Sequence, residues 1–279
     1  MGNHLTWDLP PEGVKAYFEA ADEVRGTQPM TEAAIFDIDG VLVDSPHEHA
    51  WGETLRRLMS SRWADIASHT RYAPERYTAE VYQQVVSGKP RHEGASALLE
   101  YFGIPDPDGR RTQELCDLKQ QMIVELIERG QFTAFEDGLR FILALKAKGM
   151  KLAAASSSKN ANRMLERVFL QPFCERQHLH LPFVTPKTRL SDLFDANVCG
   201  RDFAQGKPHP EIFLTAVALL DLPPERCVVI EDAPAGVQAA KAGGMRCIGV
   251  ARRNDAHLLR AAGADWVVTT LDEVNLEEL

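Results

Sequence analysis

The run Phe36-Asp-Ile-Asp-Gly-Val-Leu-Val-Asp-Ser45 restricts what this chain can fold into more than any other stretch. It continues an apolar segment, Ala33-Ala-Ile-Phe36, that has the pattern of a buried strand, and it sets carboxylates at Asp37 and Asp39 with Gly40 behind them. In extended backbone, residues i and i+2 point the same way, so both acids face one spot beyond the strand's C-terminal end. Ligands of open parallel sheets bind there. Adjacent carboxylates repel unless a cation lies between them, and Mg²⁺ prefers such oxygen donors. One of the pair can also attack phosphorus and carry an aspartyl-phosphate. The competing reading of so short a motif is an Asp-rich turn.

Three further segments repeat the pattern of an apolar strand or stiff loop that presents polar residues. Lys151-Leu-Ala-Ala-Ala155 runs into Ser156-Ser157-Ser158, whose hydroxyls and N–H groups precede a helical pattern and suit phosphate oxygens. On its own, Ser156 reads more readily as a helix cap or an ordinary loop residue. In Gly206-Lys207-Pro-His-Pro210, prolines stiffen the chain behind a lysine that can neutralise a carboxylate and a phosphate together. Cys227-Val-Val-Ile230 ends in Glu231-Asp232, acids able to complete a metal shell. Shorter strand patterns occur at Asn197–Cys199, Cys247–Val250 and Trp266–Val268. Helical patterns at Gly138–Lys148, Asn160–Phe169, Pro210–Leu220, Pro234–Ala242 and Ala256–Ala262 separate most of them. Such alternation predicts a doubly wound α/β core with a parallel sheet and right-handed crossovers.

The order of these four motifs (acid pair, hydroxyl, lysine, acids) resembles the haloacid dehalogenase superfamily from about Thr31 onward. The resemblance implies a Rossmann-like core, Mg²⁺ as cofactor, Asp37 as nucleophile and Asp39 as general acid/base. It implies phosphate binding by Ser156, Ser157 and Lys207, and a metal site of Asp37, Asp39, Glu231 and Asp232. The second aspartate, two residues after the first, is similar to the superfamily's phosphatases and phosphomutases and unlike its dehalogenases. Between the first two motifs, amphipathic stretches at Glu48–Ser60, near Ala79–Ser87, at Glu93–Phe102 and at Thr112–Arg129 resemble the inserted helical cap of the β-phosphoglucomutase branch. By that likeness His49, ten residues after Asp39, joins Arg91, Lys119, Ser158 and Lys159 as substrate contacts.

The expected organisation is an extension at 1–30, a core of 31–47 and 133–279 with an insertion at about 171–192, and a cap at 48–132. The expected function is Mg-dependent hydrolysis of a small phosphorylated metabolite, a sugar phosphate, through an aspartyl-phosphate. The alternative is phosphoglucomutase transfer, and the less favoured one a non-catalytic binding protein. The departures from the branch are the extension, with an amphipathic run Val14–Val24, the 171–192 insertion, and Ser45 in place of the first motif's threonine.

A formal charge of -9 argues against a nucleic-acid partner. Five cysteines without a C-x-x-C pair fit free thiols in a reducing cytoplasm. No apolar run is long enough to span a membrane, and a monomer or weak homo-oligomer is expected. The start Met1-Gly-Asn-His-Leu-Thr6 formally fits myristoylation, and His178-Leu-His180 a metal pair, though the latter has no third ligand in register.

Overall fold

Strand-forming apolar segments and amphipathic helices alternate along the chain, and in the computed structural model they assemble as that alternation requires. The structure describes residues 31–279; the extension, with Val14–Val24 and the Met1–Thr6 pattern, lies outside them. Eight strands follow in order: β1 Ala33–Phe36, β2 Val43–Asp44, β3 Thr133–Ala134, β4 Lys151–Ala154, β5 Ala196–Asn197, β6 Cys227–Glu231, β7 Arg246–Val250 and β8 Trp266–Val268. Six of them form one sheet in the order β5-β4-β1-β6-β7-β8, with every pairing parallel.

Alternate residues of these strands enter separate apolar clusters. Ala34, Phe36, Leu152, Ala154, Val228 and Ile230 face one layer, which the helix Glu136–Ala147 covers. Ala33, Ile35, Ala153, Val229 and Cys247 face the other, against the helices Glu211–Leu220 and Pro234–Ala242. A strand covered on both faces must be apolar at every position, which is why β1, β4 and β6 read as unbroken hydrophobic runs.

Register fixes the site. Phe36 pairs with Ala154 on one side and Ile230 on the other. The residues that follow, Asp37, Ala155-Ser156 and Glu231-Asp232, therefore emerge side by side at the sheet's C-terminal edge, where the strand order reverses around β1.

Between β2 and β3 the chain forms the helices His47–Met59, Ala64–Ala67, Ala79–Val85, Arg91–Phe102 and Arg110–Glu128. They share their own apolar cluster, centred on Trp51, Leu55, Leu98, Phe102 and Leu115. β2 and β3 pair antiparallel, so the two crossings between this insert and the sheet run together.

Several boundaries differ from expectation. The Asn160–Phe169 pattern is helical only over Ala161–Leu165, because Phe169 leaves the helix to bridge to Arg189. The fifth strand is Ala196–Asn197, since Asn197 turns its side-chain oxygen back to the Cys199 N–H. The 171–192 segment holds a short helix, Gln171–Arg176, and adds Phe173, Leu179, Leu181 and Leu190 to the sheet's apolar layer. All five cysteines are buried free thiols. Among the described residues no helix is long and apolar enough to cross a membrane.

Candidate active site

Lys207 organises the site. Its side chain is wholly buried, yet its Nζ lies 2.7 Å from Asp37 Oδ1 and 2.6 Å from Glu231 Oε1. Burial alone would lower its proton affinity; the two carboxylates outweigh that and hold it above the ordinary lysine range. Asp37 Oδ2 accepts the Asp39 N–H at 3.0 Å, which leaves the Asp37 carboxylate fixed at the pocket floor.

Asp39 stands beside it with Oδ1 held by the Ser45 hydroxyl. Burial, reinforced by the neighbouring Asp37 charge and opposed by the Ser45 bond, pushes its carboxyl up to about 7. Such a group can give and take a proton near neutrality. Asp232 packs against Gly40, whose φ of 83° suits glycine and whose missing β-carbon leaves room for that carboxylate. Burial, with Glu231, Asp37 and Asp39 close by, pushes the Asp232 carboxyl well above the usual carboxylate range.

Asp37, Asp39, Glu231 and Asp232 crowd together around Lys207, an excess of negative charge there that a hard cation would relieve. Among the described residues no three Asp, Glu, His or Cys side chains form a ready chelate. Mg²⁺ does not require one, since it keeps waters and takes one or two carboxylates with a substrate phosphate. Asp37 and Asp232, which both line the pocket, are the carboxylates that would hold such an ion.

Glu231, expected as a metal ligand, is corrected by the structure. Its Oε1 accepts from Lys207, its Oε2 accepts from the Ala233 N–H at 2.9 Å, and no part of it is exposed or lines the pocket. It is the counter-ion that orients the lysine.

Above this floor the insert and core line a pocket of about 340 Å³, whose lining includes Ser156, Ser157, Arg91 and Lys119. Ser156 Oγ accepts the Ser158 N–H at 3.2 Å, and Ser157 Oγ donates to the Gly88 carbonyl of the insert at 3.0 Å. Lys119, almost fully buried, approaches His47 Nδ1 at 2.7 Å. Burial and the Arg91 charge push the Lys119 ammonium down to about 7. Burial, Lys119 and Arg91 keep His47 neutral, so its 3.9 Å approach to Asp39 is not an ion pair. Since an ammonium only donates, Nδ1 accepts, and Nε2–H faces Ser158 Oγ at 3.0 Å. Lys159 lies at the rim with its charge already paired to Asp202, and its Nζ donates to the Gly200 carbonyl at 2.9 Å. Arg91 is half-buried at the start of its helix, and among the described residues no carboxylate pairs with its guanidinium. Pro90 of the insert sits against Gly206 of the core, where a β-carbon would overlap the proline ring.

His49 is the second correction. It is exposed and lines other pockets than the one that holds the acid pair, while His47 lines that one. The helix decides this. His47, Ala50, Trp51, Thr54, Leu55 and Leu58 form its buried face at three- and four-residue spacing, and a position two residues on points elsewhere. That periodicity was available in the sequence; counting from Asp39 was the weaker signal. His49→Ala should leave kcat within about twofold, the usual result for a surface change, whereas His47→Ala should lower it by about tenfold or more. Steady-state turnover of both variants on one sugar phosphate checks this, and equal effects would return His49 to the site.

The haloacid dehalogenase-like hydrolase family model matches residues 31–244. The chain is 30% identical to the beta-phosphoglucomutase of Mycobacterium bovis over 92% of its own length and 97% of that protein. It is 31% identical to the phosphorylated carbohydrates phosphatase of Thermotoga maritima, over 88% and 97%. The crystal structure of a Pyrococcus beta-phosphoglucomutase superposes with a TM-score of 0.62 at 27% identity, covering 88% of this chain and 96% of that one. With its acids, hydroxyl and lysine assembled at one sheet edge, the chain belongs to the haloacid dehalogenase-like hydrolases, in their β-phosphoglucomutase-like branch, as a phosphatase or phosphomutase.

Proposed function

We propose that this enzyme moves the phosphoryl group of a sugar phosphate onto Asp37 and then back to a second sugar hydroxyl, with hydrolysis as the competing outcome. The observation that carries this reading is one pocket lined by a cation from the core and a cation from the insert. Lys207 stands beside Asp37 on the floor, and Arg91 brings an unpaired charge from the insert wall. A substrate with two phosphates, or one passing through a bisphosphate, uses both.

Sequence alone favours water as acceptor, because water needs no second hydroxyl to be placed. The seated insert changes that balance. Gly88, His47 and Pro90 hold the insert against the core beside the acids, a placement that would limit water and keep a sugar in place for a second transfer. Asp37 attacks in line; Lys207 offsets charge on the phosphoryl oxygens; Asp39 protonates the leaving oxygen and then deprotonates the acceptor. Mg²⁺ held by Asp37, Asp232 and the Asp39 carbonyl would supply the remaining charge neutralisation. Ser156 and Ser157 border the phosphate. The insert thus acts as a cap.

Incubation with β-glucose 1-phosphate, Mg²⁺ and a bisphosphate primer tests the reading. Conversion to glucose 6-phosphate should outrun phosphate release; release without conversion would establish the hydrolase instead. Arg91→Ala should reduce conversion by about 10²-fold, the scale of a lost charged contact, and hydrolysis of a small generic phosphoester far less. Equal damage to both would mean that Arg91 supports the insert's fold.

A further inference from the structure

The helix Ala79–Val85 buries three consecutive residues, and they serve different ends. Val81 and Tyr82 join the insert's apolar cluster. Gln83, only 3% exposed, does not. Its Nε2 reaches the core and donates to Asp255 Oδ2 at 2.9 Å, to the Asp232 carbonyl at 3.3 Å and to Asp232 Oδ2 at 3.4 Å. Its Oε1 is buried with no partner. Three acceptors surround the amide, so they orient its donor end and leave the oxygen to spare. A carboxamide is costly to bury unless paired, and packing alone would have been served better by leucine.

The loop that receives Gln83 is tied to the catalytic turn. Arg252 donates to the carbonyls of Gly40 at 2.8 Å and Val41 at 3.1 Å, immediately after Asp39. Arg253 pairs with Glu48 at 2.7 Å and lies over the Tyr82 ring at 5.6 Å. Asp255 Oδ1 accepts the Arg253 N–H at 3.3 Å. One core segment, Arg252–Asp255, therefore touches the turn behind the acid pair, the start of the insert and Gln83.

We propose that Gln83 is a positioning residue that latches the insert to Asp232, so that this carboxylate takes its working orientation when the insert is seated on the core. The proposal rests on the reading of Asp232 as a cation ligand. Insert closure and the cation site then form one coupled unit, joined by a single amide.

Three variants test it. Gln83→Leu removes all three bonds and keeps an apolar branched side chain at the position. Gln83→Glu sets a carboxylate against two others. Gln83→Glu/Asp255→Asn restores one donor–acceptor pair with the roles reversed. Backbone amide exchange over residues 79–85 and Mg²⁺ affinity by calorimetry are read without substrate. Exchange should rise about tenfold in Gln83→Leu, the size of one lost bond of 1.4 kcal/mol, rise further in Gln83→Glu, and recover in part in the double variant. The Mg²⁺ Kd of Gln83→Leu should rise about three- to tenfold. Unchanged exchange in Gln83→Leu overturns the latch, and a double variant that recovers nothing assigns the effect to packing and overturns it too. Raised exchange with unchanged Mg²⁺ affinity overturns the coupling to Asp232. Failure of the underlying reading looks different: Asp232→Asn would then bind Mg²⁺ as the parent does, whatever Gln83 does.

Discussion

Asp37→Asn is expected to lower kcat by at least ~10³ while leaving the fold intact, comparable to the loss of a central transition-state contact. The single amide oxygen can accept from Lys207 or from the Asp39 N–H but not from both, so one hydrogen bond is lost while Lys207 keeps Glu231 as its partner. What disappears is the nucleophile and one carboxylate of the cation site. Turnover on a sugar phosphate, with thermal unfolding alongside, checks both halves. Near-normal turnover in protein free of parent enzyme would remove Asp37 from the role, and collapse of the fold would make it structural.

Lys207→Met is expected to damage stability and rate together. The ammonium is fully buried between Asp37 and Glu231, and its removal strands a carboxylate that has no exposure and only the Ala233 N–H left. Breaking a buried pair in this way costs about 3–5 kcal/mol. The rate should fall by about 10²–10³ through loss of charge stabilisation at the phosphoryl group. Lys207→Met/Glu231→Gln separates the two effects: it should regain most of the stability, measured by urea unfolding, and none of the rate. Recovery of rate in the double variant would show that Lys207 serves the fold alone.

The core and its acids were legible because both follow from local rules. β1, β4 after Lys151 and β6 up to Ile230 are buried on both faces, so they had to be apolar there, and the ends of those runs mark where Asp37, Ser156 and Glu231-Asp232 emerge. Parallel pairing then brings them together with no further information. Lys207 was legible through its stiff proline-flanked loop.

What only the tertiary structure decided is where side chains point when two elements meet. Glu231 and Asp232 are adjacent in the chain and equally acidic, yet strand alternation turns one inward to Lys207 and the other toward the pocket. His47 and His49 are separated by one residue and by the helix's turn, and the insert's packing selects the first. Gln83 carried no signal at all, since a glutamine on an amphipathic helix reads as a solvated position until the core loop that receives it is in place. Residue chemistry and strand ends determined the reaction's acids; the docking of insert on core determined which groups surround them, because contacts across that boundary join residues as far apart in the chain as Glu48 and Arg253, or Gln83 and Asp255.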